Sequence, residues 1–169
     1  KAVKWTPAEK AGRVMWGFCR PFFRWSPRPC RSWINMLLRL FGAKIGKAVH
    51  IDPSAEIFIP WNLRIGDWSS VGFVALLYNL GPLTIGEKVT ISQRAHLCGG
   101  SHDHRSPAMD LIKAPIAIGD GAWVCADAFI GPGVKVGKGA VVGARAVVVK
   151  DVEEGVVAAG NPATVVGKR

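Results

Sequence analysis

"IGDGAWVCADAFIGPGVKVGKGAVVGARAVV", residues 118–148, returns an aliphatic side chain at every sixth position. Ile118, Val124, Ile130, Val136, Val142 and Val148 keep that beat without a slip. Four residues after the first five of these stands a small or β-branched residue: Ala122, Ala128, Val134, Ala140 and Ala146. An amphipathic helix repeats at about 3.6 residues and a half-buried strand at about 2, so neither explains a spacing of six. A six-residue unit suits a parallel β-helix, in which a short strand takes part of each unit and a turn the rest. The aliphatic residue points inward, and the small residue lets the chain bend at a corner. Three units then close one triangular coil of 18 residues, so Ile118 should stack on Val136 and Val124 on Val142. Successive coils should lie about 4.8 Å apart, the spacing of hydrogen-bonded strands.

The same beat runs on the N-terminal side. It passes through Ile45, Ile51 and Ile57, then Ile65, Val71 and Leu77, then Ile85, Ile91 and Leu97. The small position is filled there by Val49, Ala55, Ser69, Ala75, Val89, Ala95 and Ser101. Glycine often follows the aliphatic residue directly, as in Ile65-Gly66, Ile85-Gly86, Ile118-Gly119 and Val136-Gly137. The register slips by two at "PWNLR" (60–64) and again at "YNLGPL" (78–83), which predicts two corner bulges. From Leu97 to Ile118 the step is 21 residues, no multiple of six, so residues 98–117 read as a loop thrown out from the coil. Beyond Val148, Lys150 to Glu154 read as a turn and "VVAAGNPATVV" (156–166) as a closing segment. A solenoid leaves open strand edges at its two ends. The tail 150–169 is expected to cover one and the N-terminal segment the other.

The charge divides the chain at nearly the same place. The 169 residues carry a net charge of +10. Residues 1–47 hold eleven Lys or Arg against Glu9 alone, with eight of the fifteen aromatics, while the remainder balances eleven basic against eleven acidic residues. We therefore divide the chain into a basic, aromatic segment (1–44) and a coil (45–169). Short helices are expected at about 8–19 and 31–41, with Pro21, Pro27 and Pro29 breaking any longer one. Such a segment suits two roles that are compatible: a cap on the coil, and peripheral contact of residues 1–42 with anionic headgroups. No nucleic-acid-binding motif accompanies the charge. Cys19, Cys30, Cys98 and Cys125 form no CxxC pair or disulfide framework and read as reduced thiols. No apolar run reaches the roughly 18–20 residues that span a bilayer. The expectation is a cytoplasmic protein, at the inner face of the membrane if the front segment binds lipid.

The interruption itself, "LCGGSHDHRSPAMDLIKAPIAIGDG" (97–121), concentrates polar chemistry on a regular scaffold, and surface loops on rigid scaffolds are where function gathers. The "I-G-x-x-A-x" pattern over about residues 45–166 resembles the left-handed parallel β-helix of the hexapeptide-repeat acyltransferases. "GGSHDHRSP" resembles the His-bearing loop of the sugar and galactoside O-acetyltransferases among them. The wider stretch from "PWNLRIGDW" to "HLCGGSHD" is similar to the acetyltransferases of exopolysaccharide assembly, such as the colanic acid group. The chain departs from the galactoside enzymes at Gly72, where those carry Asn, and at Asn79, which matches an acidic substrate contact. Those departures favour the exopolysaccharide-type reading, in which "YNLGP" is usual.

The resemblance implies an acetyl-CoA-dependent O-acetyltransferase acting on a saccharide, free, nucleotide-linked or lipid-linked, with no metal. His102 matches the family's catalytic base. An imidazole with a pKa near 6.5 can take a hydroxyl proton at neutral pH. Tyr78, Asn79 and Asp103 become candidate acceptor contacts, and Asp103 alternatively an orienter of the histidine. The Gly99-Gly100 pair is a candidate source of a backbone N–H for the oxyanion. The resemblance also implies a coenzyme A groove along the outside of the coils, between subunits of a homotrimer. Matching positions are Ala126, Ala144 and Lys150, with Trp123 nearby. His96 and His104 read as structural or solvated residues, and Cys98 as a small coil residue rather than an acyl-carrying nucleophile. Two other classes compete. A metalloenzyme of the γ-carbonic-anhydrase kind would need three imidazoles on one ion, drawn from His50, His96, His102 and His104, which lack that family's spacing. A non-catalytic scaffold would bind no coenzyme A.

Overall fold

A computed structural model describes residues 5–24 and 31–169. Pro27, Pro29 and Cys30 lie outside them. Two helices, α1 (Pro7–Arg24) and α2 (Arg31–Leu40), precede the coil. The first coil runs through β1 (Lys44–Ile45), β2 (His50–Ile51) and β3 (Glu56–Ile57); the second through β4 (Leu63–Ile65), β5 (Ser70–Val71) and β6 (Leu76–Tyr78). The third comprises β7 (Leu83–Ile85), β8 (Thr90–Ile91) and β9 (His96–Cys98). A hairpin, β10 (Gly100–His102) and β11 (Leu111–Lys113), then leaves the coil. Two more coils follow: β12 (Ile116–Ile118), β13 (Trp123–Val124) and β14 (Phe129–Ile130), then β15 (Lys135–Val136), β16 (Val141–Val142) and β17 (Val147–Val148). The chain ends in β18 (Val156–Gly160) and β19 (Ala163–Lys168).

Every third strand stacks on the one before it, giving three flat faces. Face 1 is β1-β4-β7-β12-β15, face 3 is β3-β6-β9-β14-β17, and face 2 runs from β2 through β5, β8, β13 and β16 to β18 and β19. All coil-to-coil pairs are parallel, with Ile118 opposite Val136 and Val124 opposite Val142. All fifteen aliphatic positions of the repeat are buried in one continuous core. Each fully buried Val, Leu or Ile contributes about 1.5–3 kcal/mol relative to exposure, so the period of six is enforced by burial at every beat. The small positions are buried too, with one exception. Ser101 is exposed on β10, because the coil has already been left by that point and no corner remains to fill.

Both slips, and the hairpin, occur at the corner between faces 3 and 1. In the first coil a 3₁₀ turn over Pro60–Asn62 takes up the extra residues. In the second, Asn79 turns its side chain inward: its Oδ1 accepts from the Ile59 N–H at 3.0 Å and its Nδ2 donates to the Ile59 carbonyl at 2.6 Å. Asn62 Nδ2 in turn donates to the Leu80 carbonyl at 2.9 Å. The third coil sets its hairpin on this widened corner. Gly99 N–H donates to the Tyr78 carbonyl at 2.9 Å and Ile116 N–H to the Pro82 carbonyl at 2.9 Å.

The open end of the first coil is closed by side chains. In a strand, alternate residues turn their N–H and C=O to opposite sides, so the outward carbonyls of the first coil have no coil beneath them. Buried backbone groups need partners, and the helices supply one per face. Arg39 donates to Ile45 O on face 1 at 2.9 Å, Asn35 to Val49 O beside face 2 at 2.9 Å, and Trp16 Nε1 to Ile57 O on face 3 at 2.8 Å. Trp16, Ile34 and Leu38 join the core. The first helix is longer than expected and runs past Pro21 to Arg24. Proline withholds one N–H there. At the other end, β18 continues face 2 in parallel beside β16, and β19 folds back antiparallel on it. The closing segment is thus a hairpin that extends one face.

Candidate active site

His102 stands near the tip of the β10–β11 ladder, opposite Leu111, and is exposed. Its Nδ1 lies 2.6 Å from the Met109 carbonyl oxygen. A carbonyl can only accept, so Nδ1 carries a proton, and in the neutral ring Nε2 then keeps its lone pair. The residue that orients the imidazole is therefore Met109, through its backbone, and not Asp103. Met109 holds φ at 48°, in the left-handed region that costs a side-chain-bearing residue of order 1–3 kcal/mol. Its N–H donates to the Ser106 carbonyl at 2.9 Å, which helps hold it there. Sequence reasoning could not find this contact, because a backbone carbonyl leaves no mark on residue identity.

Asp103 serves the turn. Its Oδ1 accepts from the Arg105 N–H at 3.0 Å, and its own N–H donates to the Asp110 carbonyl at 2.8 Å. His104 is exposed in the same turn. The two glycines answer to packing. Gly99 N–H is already spent on Tyr78 O, which removes it as a free oxyanion donor, and a Cβ on Gly99 would come 3.0 Å from Ala114 O. A Cβ on Gly100 would meet Tyr78 Cε1 and Leu80 Cδ1 at 2.7 Å.

Tyr78 is half-buried beside the hairpin root and packs edge-on against Phe58, with centroids 4.7 Å apart. Asn79 is brought to the same corner, but only 1% of it is exposed and both its polar atoms are taken by Ile59. Its side chain builds the corner instead of meeting an acceptor, because two inserted residues left buried backbone groups that an amide satisfies. Cys98 donates its thiol to Gly100 O at 3.2 Å. His96 sits on face 3 with its ring edge-on to Phe129 at 5.2 Å, and burial pushes its pKa down.

The positions matched to coenzyme A divide between two edges. Ala126 and Ala144 stack one coil apart at the corner between faces 2 and 3, joined by the Arg145 N–H to Ala126 O bond of 2.9 Å. Ala144 is exposed and Ala126 partly so. Trp123, on face 2, donates its indole N–H to Ser92 Oγ at 2.9 Å and leaves 45% of its surface open. Lys150 is exposed after β17, on the same edge as the hairpin. Within one chain, then, the small-residue wall and the imidazole occupy different corners of the prism. Among the described residues, no group of three or more His, Cys, Asp or Glu is placed to hold a metal ion.

Residues 115–150 match the model of the bacterial transferase hexapeptide family (six repeats). WcaF of Escherichia coli K12, which carries the name colanic acid biosynthesis acetyltransferase, is 47% identical over 157 residues, covering 93% of this chain and 86% of WcaF. The galactoside O-acetyltransferase of the same organism is 29% identical over 77% of this chain and 66% of its own length. Among solved structures, the hexapeptide-repeat acetyltransferase VCA0836 of Vibrio cholerae, in complex with acetyl coenzyme A, superposes with a TM-score of 0.87 at 25% identity, covering 96% of this chain and 90% of that one. An unbroken six-residue beat, a stacked three-faced coil and nearly full-length identity to WcaF agree: the chain belongs to the hexapeptide-repeat acetyltransferases, alongside those named for colanic acid biosynthesis.

Proposed function

We propose that this acetyltransferase moves the acetyl group of acetyl-CoA to a sugar hydroxyl during surface-polysaccharide assembly, with His102 as general base. The observation that carries the reading is the His102–Met109 contact: it fixes the tautomer in which Nε2 is free to accept a proton. Nε2 takes the proton of the sugar hydroxyl, and the oxygen forms a bond to the thioester carbonyl carbon. The tetrahedral oxyanion collapses, the C–S bond breaks, and the imidazolium returns its proton to the departing sulfur. A base placed in this way contributes about 10² to 10⁴ in rate.

The donor fits the residues present. Ala126 and Ala144 offer a wall without projecting side chains, beside the open face of Trp123, and Lys150 supplies a cation for a phosphate. Because wall and imidazole lie on different edges, a homotrimer in which one subunit's hairpin faces a neighbour's wall accounts for both. Tyr78 stands where an acceptor near His102 would pass, and Asp103 is retained as a contact through the carboxylate oxygen that Arg105 leaves. The front segment, in peripheral contact with membrane, places the site at the inner membrane face, where lipid-linked sugars are met.

Thiol release from acetyl-CoA, followed across a panel of sugar acceptors, tests the reading. His102→Ala is expected to lower turnover by at least about a hundredfold while the circular dichroism of the coil stays unchanged. Retained turnover would remove His102 as base. Sedimentation velocity should give three times the mass of the chain, and a monomer would refute the assembly.

A further inference from the structure

The first helix has two apolar faces, and only one of them has a use in the fold. On the inner face Trp16 is buried, and Gly12 lies so close to Trp61 that a Cβ would come 2.9 Å from its ring. On the outer face Val14, Met15, Phe18 and Phe22 are each 61–75% exposed. At a helical period these four fall within one arc of about 100°. Four large apolar side chains aligned in water are a liability that marks a contact surface.

The charge around them says what the contact is. Lys10 is exposed one turn before Val14 on the same helix, within a 47-residue segment that holds eleven basic residues and one acidic; Arg13 lies over the Trp5 ring, 4.3 Å from its centroid. A second copy of this face would bring like charges together. A nucleic acid would satisfy the cations and leave Met15, Phe18 and Phe22 in water. An anionic bilayer surface takes both, with the apolar stripe at the acyl boundary and the cations among the headgroups. No helix among the described residues is long and apolar enough to cross a membrane, so the helix lies on the surface.

The helix is also tied to the edge that bears the catalytic hairpin. From its C-terminal half upward, Arg20 pairs with Glu56 at 2.6 Å and Trp16 bonds Ile57 O. At its N-terminal end the Lys113 ammonium of β11 lies 3.3 Å from the centroid of Trp5 and 3.9 Å from Glu9 Oε1. Lys113 pairs with Gly100, two residues before His102.

We propose that the first helix is an interfacial element that seats Val14, Met15, Phe18 and Phe22 in an anionic bilayer, and that the Trp5–Glu9–Lys113 clasp thereby holds the His102 hairpin beside the membrane. Docking itself does not depend on the proposed chemistry; its consequence for an acceptor rests on His102 being the base.

Sedimentation with sucrose-loaded vesicles tests it, using the full chain without donor or acceptor. Vesicles of phosphatidylcholine mixed with phosphatidylglycerol should pellet the wild type, and phosphatidylcholine alone should do so far less. The double substitution Phe18→Glu, Phe22→Glu should weaken partition into mixed vesicles by at least about tenfold and leave thiol release with a soluble acceptor unchanged. Lys10→Glu should weaken it less. Failure of the wild type to bind mixed vesicles, or equal binding by the double variant, overturns docking. So does a smaller assembly for the double variant in sedimentation velocity, which would make the stripe a contact between subunits. If His102→Ala keeps its turnover but still pellets with vesicles, the assignment of the base falls and the docking stands.

Discussion

The coil and the hairpin that leaves it are held by different forces. In the coil, one aliphatic side chain per six residues is buried and backed by a parallel ladder, so each unit is held by the units above and below. The hairpin has three paired residues on each side, exposed side chains along most of its length, and an imidazole fixed by one main-chain oxygen. The coil lets its register slip at a single corner, and the hairpin, which carries the proposed base, lies outside the register altogether. The two meet only at the corner between faces 3 and 1, where Asn62 and Asn79 absorb the extra residues.

That division predicts which measurement each substitution moves. Leu97 is the last beat before the hairpin and is fully buried. Leu97→Ala should cost about 2–5 kcal/mol of stability, read as a large drop in the midpoint of thermal or urea unfolding. Turnover of the fraction still folded should change little. If instead turnover collapsed at unchanged stability, the coil would be part of the catalytic apparatus and the division would fail.

Gly100→Ala probes the junction from the other side. The new Cβ would press on Tyr78 Cε1 and Leu80 Cδ1, both placed at 2.7 Å. Relieving that contact displaces β10, and His102 with it. Overpacking of this kind costs about 1–3 kcal/mol, less than Leu97→Ala, because the hairpin moves and the coil does not. The larger change should be in turnover, which we expect to fall about tenfold or more if His102 is the base proposed above, since small misplacements of such a group are costly. A variant with full turnover would show that the hairpin adjusts freely and that the corner does not position it.

The sequence displayed these two regions unequally. Every coil beat was legible, because burial at a fixed step leaves a fixed spacing of Ile, Val and Leu. The hairpin was legible as an interruption, and His102 stood out within it by chemistry and resemblance. The slips at "PWNLR" and "YNLGPL" were visible as slips, yet nothing in a one-dimensional pattern says that both share a corner with the hairpin. That depends on counting around a closed triangle. Met109 was invisible, since any residue has the carbonyl it uses. Asn79 looked like a surface contact, because an exposed amide and one that satisfies a buried backbone read alike in sequence. The three caps on the first coil, Arg39, Asn35 and Trp16, depend on how the helices dock, which amphipathic spacing alone does not fix. The outer stripe of the first helix had a visible signal in the interleaving of Arg with aromatics; separating it from the inner, core-facing stripe needed the burial of Trp16 beside the exposure of Phe18.

The smallest expected effect falls on His96, the coil histidine that precedes the junction. The His96 ring leans edge-on against Phe129, and its Nε2 is buried with no hydrogen-bond partner among the described residues. Burial disfavours the imidazolium and lowers the pKa below its ordinary 6.5. The unfolded chain then binds the proton more readily than the folded one. Stability from this group is complete above the unfolded value of 6.5. It is lost as pH falls from there toward the lowered folded value. Carboxylates paired in the fold, such as Asp127 with Arg94, add their own loss at lower pH, since that pairing holds the Asp127 pKa down. The histidine contribution is isolated by substitution. His96→Gln should flatten the dependence of the unfolding midpoint on pH in the window just below 6.5. Equal slopes for wild type and His96→Gln would mean that the coil admits a charged ring on face 3, and the contrast between a sealed coil and an open hairpin would have to be redrawn at Phe129.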